Sequence, residues 1–82
     1  MKILLSSMAK NDIRLLMRVF SAEHKQKGID FLESLKATIN MIVLHSERSA
    51  GINTSSMEGF PVIVHYIFEN QETLFITAIF KN

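Results

Sequence analysis

The chain has 82 residues, of which 48% are hydrophobic and none is cysteine. This length predicts one domain spanning residues 1–82, and because no disulfide or thiolate metal site can support its core, apolar packing or a partner must supply the stability. The formal net charge of +1, from nine Lys or Arg and eight Asp or Glu, is too small to indicate nucleic-acid binding by the molecule as a whole.

The first element is a short apolar strand at Ile3–Leu5. This run is much shorter than the apolar region of a signal peptide, and Lys10 and Asp12 follow it closely. No other stretch approaches the ~20 apolar residues that span a bilayer. We therefore expect a soluble, cytoplasmic protein with no membrane partner. Ser6 or Ser7 would end the strand and cap the next helix.

Two amphipathic helices are predicted next. The first runs from Ala9, and the second covers roughly Gly28 to Leu44, with a polar connection over Ser21–Lys27. Their apolar residues recur at helical spacing, so that the helices would form a hairpin over a sheet. The stripe of the first helix is Ile13, Leu16, Met17 and Phe20, and that of the second is Phe31, Leu35, Ile39 and Ile42.

The last third of the chain predicts a buried β-hairpin. Its two runs, Phe60–Phe68 and Thr73–Phe80, are dense in β-branched and aromatic residues, and the polar segment Glu69–Glu72 divides them. Residues 46–59 would make a long loop, so a weak strand is expected around Ile52–Met57, beside the hairpin. The order β-α-α-β-β(-β) predicts an α+β fold in which a small antiparallel sheet packs against a two-helix hairpin.

Several local strings, taken in order, resemble a known family. Lys2–Ala9 followed by Asp12-Ile13 is similar to that family's first apolar strand, the turn after it and the start of its first helix. Gly28–Leu35 is similar to its second helix, which has the pattern Gly-x-x-Phe-Leu-x-x-Leu. Gly59–Tyr66 resembles a Phe-Pro-Tyr-x-Ile-x-Tyr strand, and Leu74–Ile79 resembles a final strand. The family that this chain resembles in these motifs is the RelE/ParE superfamily, the toxin halves of toxin–antitoxin modules and plasmid-stabilisation systems. The resemblance spans nearly the whole chain and implies a RelE/ParE-like fold.

The chain resembles the ParE-like branch more closely than the RelE-like branch. Resemblance to that branch implies a toxin that acts by binding a protein target, DNA gyrase or a similar one. It also implies an antitoxin protein that neutralises the toxin, and it allows a homodimer. RelE-like members are instead ribosome-dependent mRNA endonucleases, in which a cluster of Arg, Lys, Tyr or His offsets the charge of the reacting phosphate and delivers protons.

Two departures from the family concern activity. The family usually continues after its last strand with His-x-x-Arg, whereas Phe80-Lys81-Asn82 closes this sequence, and the basic residue expected before the Phe-Pro strand is missing from 53–56. Three alternatives follow: a ParE-like binding toxin, a RelE-like mRNA endonuclease, and an inactive, shortened relative that still binds an antitoxin.

The candidates for catalysis are His65, Tyr66 and Lys81. Alternation along a strand places His65 and Tyr66 on opposite faces, and if His65 shares the exposed face with Lys81, a proton donor and a phosphate-binding cation converge. The competing interpretation is that His65 and Tyr66 are packing residues with satisfied polar tips.

The candidates for binding a target or a nucleic acid are basic. Lys10, Arg14 and Arg18 follow one another at i, i+4 spacing on one helix face, and Arg48 is a further candidate. The competing interpretation of the helix residues is an ordinary solvated face.

Metal binding has no support in the sequence. The three histidines have no His, Asp or Glu at i+3 or i+4 on an evident shared face, and closely spaced ligand pairs are typical of structural zinc sites. We therefore expect neither a metal nor a cofactor. The histidines are His24, His45 and His65.

Overall fold

The computed structural model describes residues 1–45 and 53–82. In chain order these ranges form β1 (Lys2–Leu5), α1 (Ser7–Glu23), α2 (Lys25–His45), β2 (Asn53–Ser56), β3 (Val62–Asn70) and β4 (Thr73–Lys81). The predicted α+β order of elements is confirmed. Neither helix in these ranges has the length and apolarity that crossing a membrane requires.

Helix α1 begins at a serine cap. Ser6 has an extended backbone, and its Oγ accepts a hydrogen bond of 2.9 Å from the amide of Ala9, which satisfies one of the amides that the first helical turn leaves unpaired. The same Oγ donates to the carbonyl oxygen of Thr77 at 2.6 Å, so the cap also ties the helix to β4. The predicted cap is confirmed at Ser6, and the helix starts at Ser7, ahead of the predicted Ala9.

The connection between the helices is His24 alone, and the predicted loop over Ser21–Lys27 is wrong. His24 is extended (φ −164°, ψ 133°), its amide donates to the carbonyl of Phe20 at 3.1 Å, and its Nδ1 accepts from the amide of Gln26 at 3.2 Å. The segment is polar because both helix ends face solvent. Ala, Glu, Lys and Gln are strong helix formers, so polarity here did not indicate a loop.

Helix α2 starts at Lys25, ahead of the predicted Gly28, and ends at His45. Gly28 lies in the interface between the helices, where a Cβ would come 1.9 Å from the Oγ and 3.2 Å from the Cβ of Ser21. The glycine therefore allows the two helices to approach closely, which explains why it stands inside a helix despite its low helix propensity.

The hairpin of β3 and β4 forms the centre of the sheet, as predicted. Its turn is shorter than the predicted Glu69–Glu72, because β3 continues to Asn70 and the Oδ1 of Asn70 accepts a hydrogen bond of 2.8 Å from the amide of Glu72. Strand β2 pairs antiparallel with β3. This confirms the strand expected around Ile52–Met57, for the part of that segment that the structure describes.

Strand β1 makes the sheet mixed. The strand order is β1-β4-β3-β2, and β1 lies parallel to β4, with Ile3 beside Leu74 and Leu5 beside Ile76. The predicted antiparallel pairing holds for β2, β3 and β4, and the parallel pair corrects it for β1. A parallel neighbour needs a long crossover connection, which the helical hairpin provides between β1 and the rest of the sheet.

Strand β1 ends beside Ile76, so in the described chain no strand pairs with this side of β4 from Thr77 onward. Asp12 of α1 takes the place of a strand there, because its Oδ2 accepts a hydrogen bond of 2.9 Å from the amide of Ile79. The pairing of β3 with β4 also shifts register after His65, and the Oγ1 of Thr77 donates to the His65 carbonyl at 3.2 Å. The contact of Asp12 with Ile79 covers part of this open edge, and covering an edge in this way protects a sheet from pairing with other chains.

The core lies between the helical hairpin and one face of the sheet. At one end of it the rings of Phe20, Phe31 and Phe60 meet, with centroids 5.2, 5.0 and 5.7 Å apart. Burying one such ring stabilises the fold by roughly 1.5–3 kcal/mol, and each aromatic pair adds about 0.5–1.5 kcal/mol. The largest fully buried side chains are Phe20, Phe31, Ile42, Val62, Val64, Leu74, Ile76 and Ile79.

Candidate functional site

An open cleft of about 380 Å³ lies between β1 and α2. Its lining is mainly apolar, and its charged group is a lysine of α2. A mainly apolar cleft with a small number of polar groups is the usual form of a binding site. The lining residues are Ile3, Leu5, Lys36, Ile39 and Asn40.

The cleft arises from how the strand and the helices are placed. Ile3 and Leu5 lie beside Leu74 and Ile76, which are fully buried, so all four side chains point to the helix side of the sheet. Ile3 remains 41% exposed, which shows that the helices do not cover the edge strand completely. An apolar floor is therefore left open beside α2.

The outer face of the sheet, which the helices do not cover, is also apolar. Leu4 is 37% and Phe80 48% exposed. Ile63 and Ile67 of β3 are half-buried on this face. His65 lies among them, and its ring stands edge-on to that of Phe80 with centroids 5.0 Å apart.

The structure does not bring the three catalytic candidates together. His65 pairs with Ala78 and lies on the outer face, whereas Lys81 pairs with Val62, whose side chain is buried on the helix side. Tyr66 is 5% exposed and also faces the helices. The condition for convergence, a face shared by His65 and Lys81, is not met.

Lys81 instead lies against the aromatic end of the core. Its Nζ is 5.7 Å from the ring centroid of Phe20, and the Nζ of Lys27 is 5.5 Å from the same ring. Lys27 also pairs with Glu23 at 3.2 Å. Contacts between a cation and an aromatic ring at such distances are worth about 0.5–1 kcal/mol at exposed sites, so these lysines have a structural role. The sequence did not indicate this role for Lys27, because a loop was expected there.

The basic candidates of α1 are all exposed. Lys10, Arg14 and Arg18 form a ridge along the outward side of the helix. Arg48 lies outside the described residues. An exposed apolar stripe accompanies the ridge on α1, and its members are Met8, 58% exposed, Leu15, 48%, and Val19, 42%.

Two absences apply to the described part of the chain. It holds no group of three or more His, Asp or Glu side chains that could bind a metal ion. It also has no buried side-chain nitrogen or oxygen without a hydrogen-bond partner.

The residues of the cleft are the part of the site that the sequence did not indicate. Ile39 was expected in the buried stripe of α2. Ile3 and Leu5 were expected to be ordinary strand residues. No local signal could have shown the cleft, because it depends on how far α1 and α2 extend over β1.

The architecture is a helical hairpin on one face of a four-stranded mixed sheet of order β1-β4-β3-β2. Among solved structures, the chain is similar to one described as "Chromosomal ParDE TA system from P. aeruginosa", with a TM-score of 0.81 and 12% sequence identity over 99% of this chain and 95% of that chain. At that identity the likeness shows the fold. No family model matches the chain, and no curated protein matches it.

Proposed function

We propose that this protein is the toxin component of a type II toxin–antitoxin module, that it acts in the cytoplasm by binding DNA gyrase or a similar protein target, and that an antitoxin neutralises it. The likeness in fold to a chain of a ParDE toxin–antitoxin system, over nearly the full length of both, supports the class of protein. The surfaces described above support the mode of action.

The observation that carries the proposal is the outward surface of α1. Three exposed basic side chains, Lys10, Arg14 and Arg18, and an exposed apolar stripe lie on the same helix. Methionine and arginine are enriched where proteins bind one another, and arginine binds carboxylates with two parallel hydrogen bonds. We assign this surface to the target, which would present acidic groups around an apolar contact.

We assign the cleft between β1 and α2 to the antitoxin. Its floor, Ile3 and Leu5, and its wall, Ile39, offer apolar contacts that a partner can cover, and Lys36 offers a positive charge at the side. A binding toxin needs complementary surfaces and no catalytic cluster. A few central residues then carry most of the binding free energy.

The positions of the catalytic candidates favour binding over the mRNA endonuclease alternative. A ribonuclease needs a proton donor and a cation at the same phosphate. His65 and Lys81 point to opposite sides of the sheet, and Tyr66 is buried against the helices. These three candidates therefore form no convergent set of this kind.

Purified protein distinguishes the two activities. We expect it to inhibit DNA supercoiling by gyrase and to leave mRNA intact in a reconstituted translation reaction. Arg14→Glu should weaken the inhibition, whereas Lys25→Glu, the same change of charge at an exposed position at the start of α2, should not. Cleavage of mRNA at ribosomes with no effect on gyrase would contradict the proposal and support the endonuclease. Inactivity in both assays would support the inactive, antitoxin-binding relative.

A further inference from the structure

The open edge of β1 has a defined hydrogen-bonding pattern. The amide of Lys2 donates to the carbonyl of Glu72 at 2.7 Å, and the amide of Ser6 donates to the carbonyl of Ile76 at 3.0 Å. Backbone groups of successive residues point to opposite sides of a strand, so the N–H and C=O groups of Ile3 point away from β4, as do those of the other odd-numbered residue, Leu5. The sheet ends at β1, and no described strand pairs with these groups.

The side chains of these same two residues form the floor of the cleft. A strand added beside β1 would hydrogen-bond to the backbone of Ile3 and Leu5. Every second side chain of that strand would lie on the helix side of the sheet, over the cleft. A helix lying in the cleft would leave the same backbone groups unpaired. The backbone and the side chains therefore favour the same occupant, an extended segment.

The charges define the chemistry of that segment. Lys36 is the charged residue of the cleft lining, and Lys2, at the start of β1, is exposed. A segment that places apolar side chains in the cleft and a carboxylate near Lys36 complements both features. A second copy of this chain is disfavoured as the occupant, because pairing two β1 edges would bring like charges together.

We propose that β1 is the docking edge for an extended, acidic and apolar segment of the antitoxin, which adds a strand to the sheet and fills the cleft. The identity of the partner rests on the proposed function, whereas the conformation and chemistry of the segment rest on the edge and the cleft. Main-chain pairing supplies affinity in this mode of recognition, and the cleft supplies specificity through alternate side chains.

The test uses synthetic peptides in which Val, Ile or Leu alternates with Glu. One matched set carries Lys in place of Glu, a second carries N-methyl groups on the pairing edge, and a third has the same composition arranged as an amphipathic helix. Binding and amide hydrogen exchange are followed by NMR. We expect the Glu peptides to slow hydrogen exchange at the amides of Ile3 and Leu5. N-methylation removes main-chain hydrogen bonds to β1 and should weaken binding by ~10-fold or more, and a tenfold loss corresponds to about 1.4 kcal/mol.

A charge reversal in the cleft tests the chemistry of the occupant. Lys36→Glu should reverse the preference from Glu peptides to Lys peptides, and the control Lys25→Glu should leave the preference unchanged. Several results would overturn the inference: equal binding of N-methylated peptides, binding with no protection of Ile3 and Leu5, binding of the helical set alone, or no binding of any set at millimolar concentration.

These outcomes are separate from the fate of the proposed function. Toxicity that an antitoxin relieves without protecting the amides of Ile3 and Leu5 would refute the docking edge and leave the toxin assignment intact. If the chain binds the peptides at this edge but inhibits neither gyrase nor growth, the docking edge would stand and the toxin assignment would be refuted.

Discussion

Replacing Asp12 with alanine tests how the fold closes the open side of β4. The Oδ2 of Asp12 accepts the amide hydrogen of Ile79 at 2.9 Å, and Ile79 is only 2% exposed. A buried amide left without an acceptor costs about 1–3 kcal/mol. The bond is partly buried, so we expect a loss of about 1.5 kcal/mol in the free energy of unfolding, or roughly 6–12 °C in Tm for a domain of this size.

The assay is urea unfolding followed by circular dichroism. Asp12→Asn keeps a side-chain acceptor and should lose less than half as much as Asp12→Ala. Asn11→Ala, an exposed change at the adjacent position of α1, is the matched control and should stay within about 0.5 kcal/mol of the parent. A loss for Asp12→Ala no larger than that of the control would refute the reasoning, since the Ile79 amide would then have found another partner at no cost.

Three further predictions follow from the helices. Gly28→Ala should lower the free energy of unfolding by up to about 2 kcal/mol, because the roughly 1–3 kcal/mol cost of overpacking is reduced by the roughly 1 kcal/mol that alanine gains in helix propensity; the loss should be smaller in a Ser21→Ala background, and a double-mutant cycle in urea measures the difference. His24→Asp should raise the free energy of unfolding by about 0.5 kcal/mol, because a carboxylate is a preferred cap acceptor for the Gln26 amide, while its favourable interaction with the dipole at the start of α2 is offset at the end of α1, which the same residue caps; a lower Tm would contradict this. In a growth assay, single charge reversals at Lys10, Arg14 and Arg18 should weaken the arrest by degrees. His65→Ala should change it little, whereas a loss of several orders of magnitude at His65 would indicate catalysis.

Much of the fold could be predicted from local patterns. The stripe of α1, its serine cap and the two strands of the hairpin were all indicated by spacing and residue type. The break at His24 was not, because strong helix formers on an exposed surface resemble a polar loop. The parallel placement of β1 was also hidden, since it depends on a crossover that no local string encodes.

The candidate site was less predictable, because it depends on register and on distant contacts. A shift of one residue in the pairing of β3 with β4 would move Lys81 to the face of His65, and nothing in either strand alone determines that register. The cleft joins Ile3 and Leu5 to residues of α2 that are far away in the sequence. Periodicity placed each of these residues in the correct element, but could not show that the helices leave the first strand partly open.

Inducing the chain alone in a bacterial host tests the central claim most directly, with nucleoid shape and total translation followed beside growth. The account predicts growth arrest with condensed or broken DNA while translation continues, and relief of the arrest when an antitoxin is co-expressed. Arrest with immediate loss of translation would contradict the gyrase-directed account in favour of mRNA cleavage. Unimpaired growth with the folded protein present would contradict both active-toxin accounts.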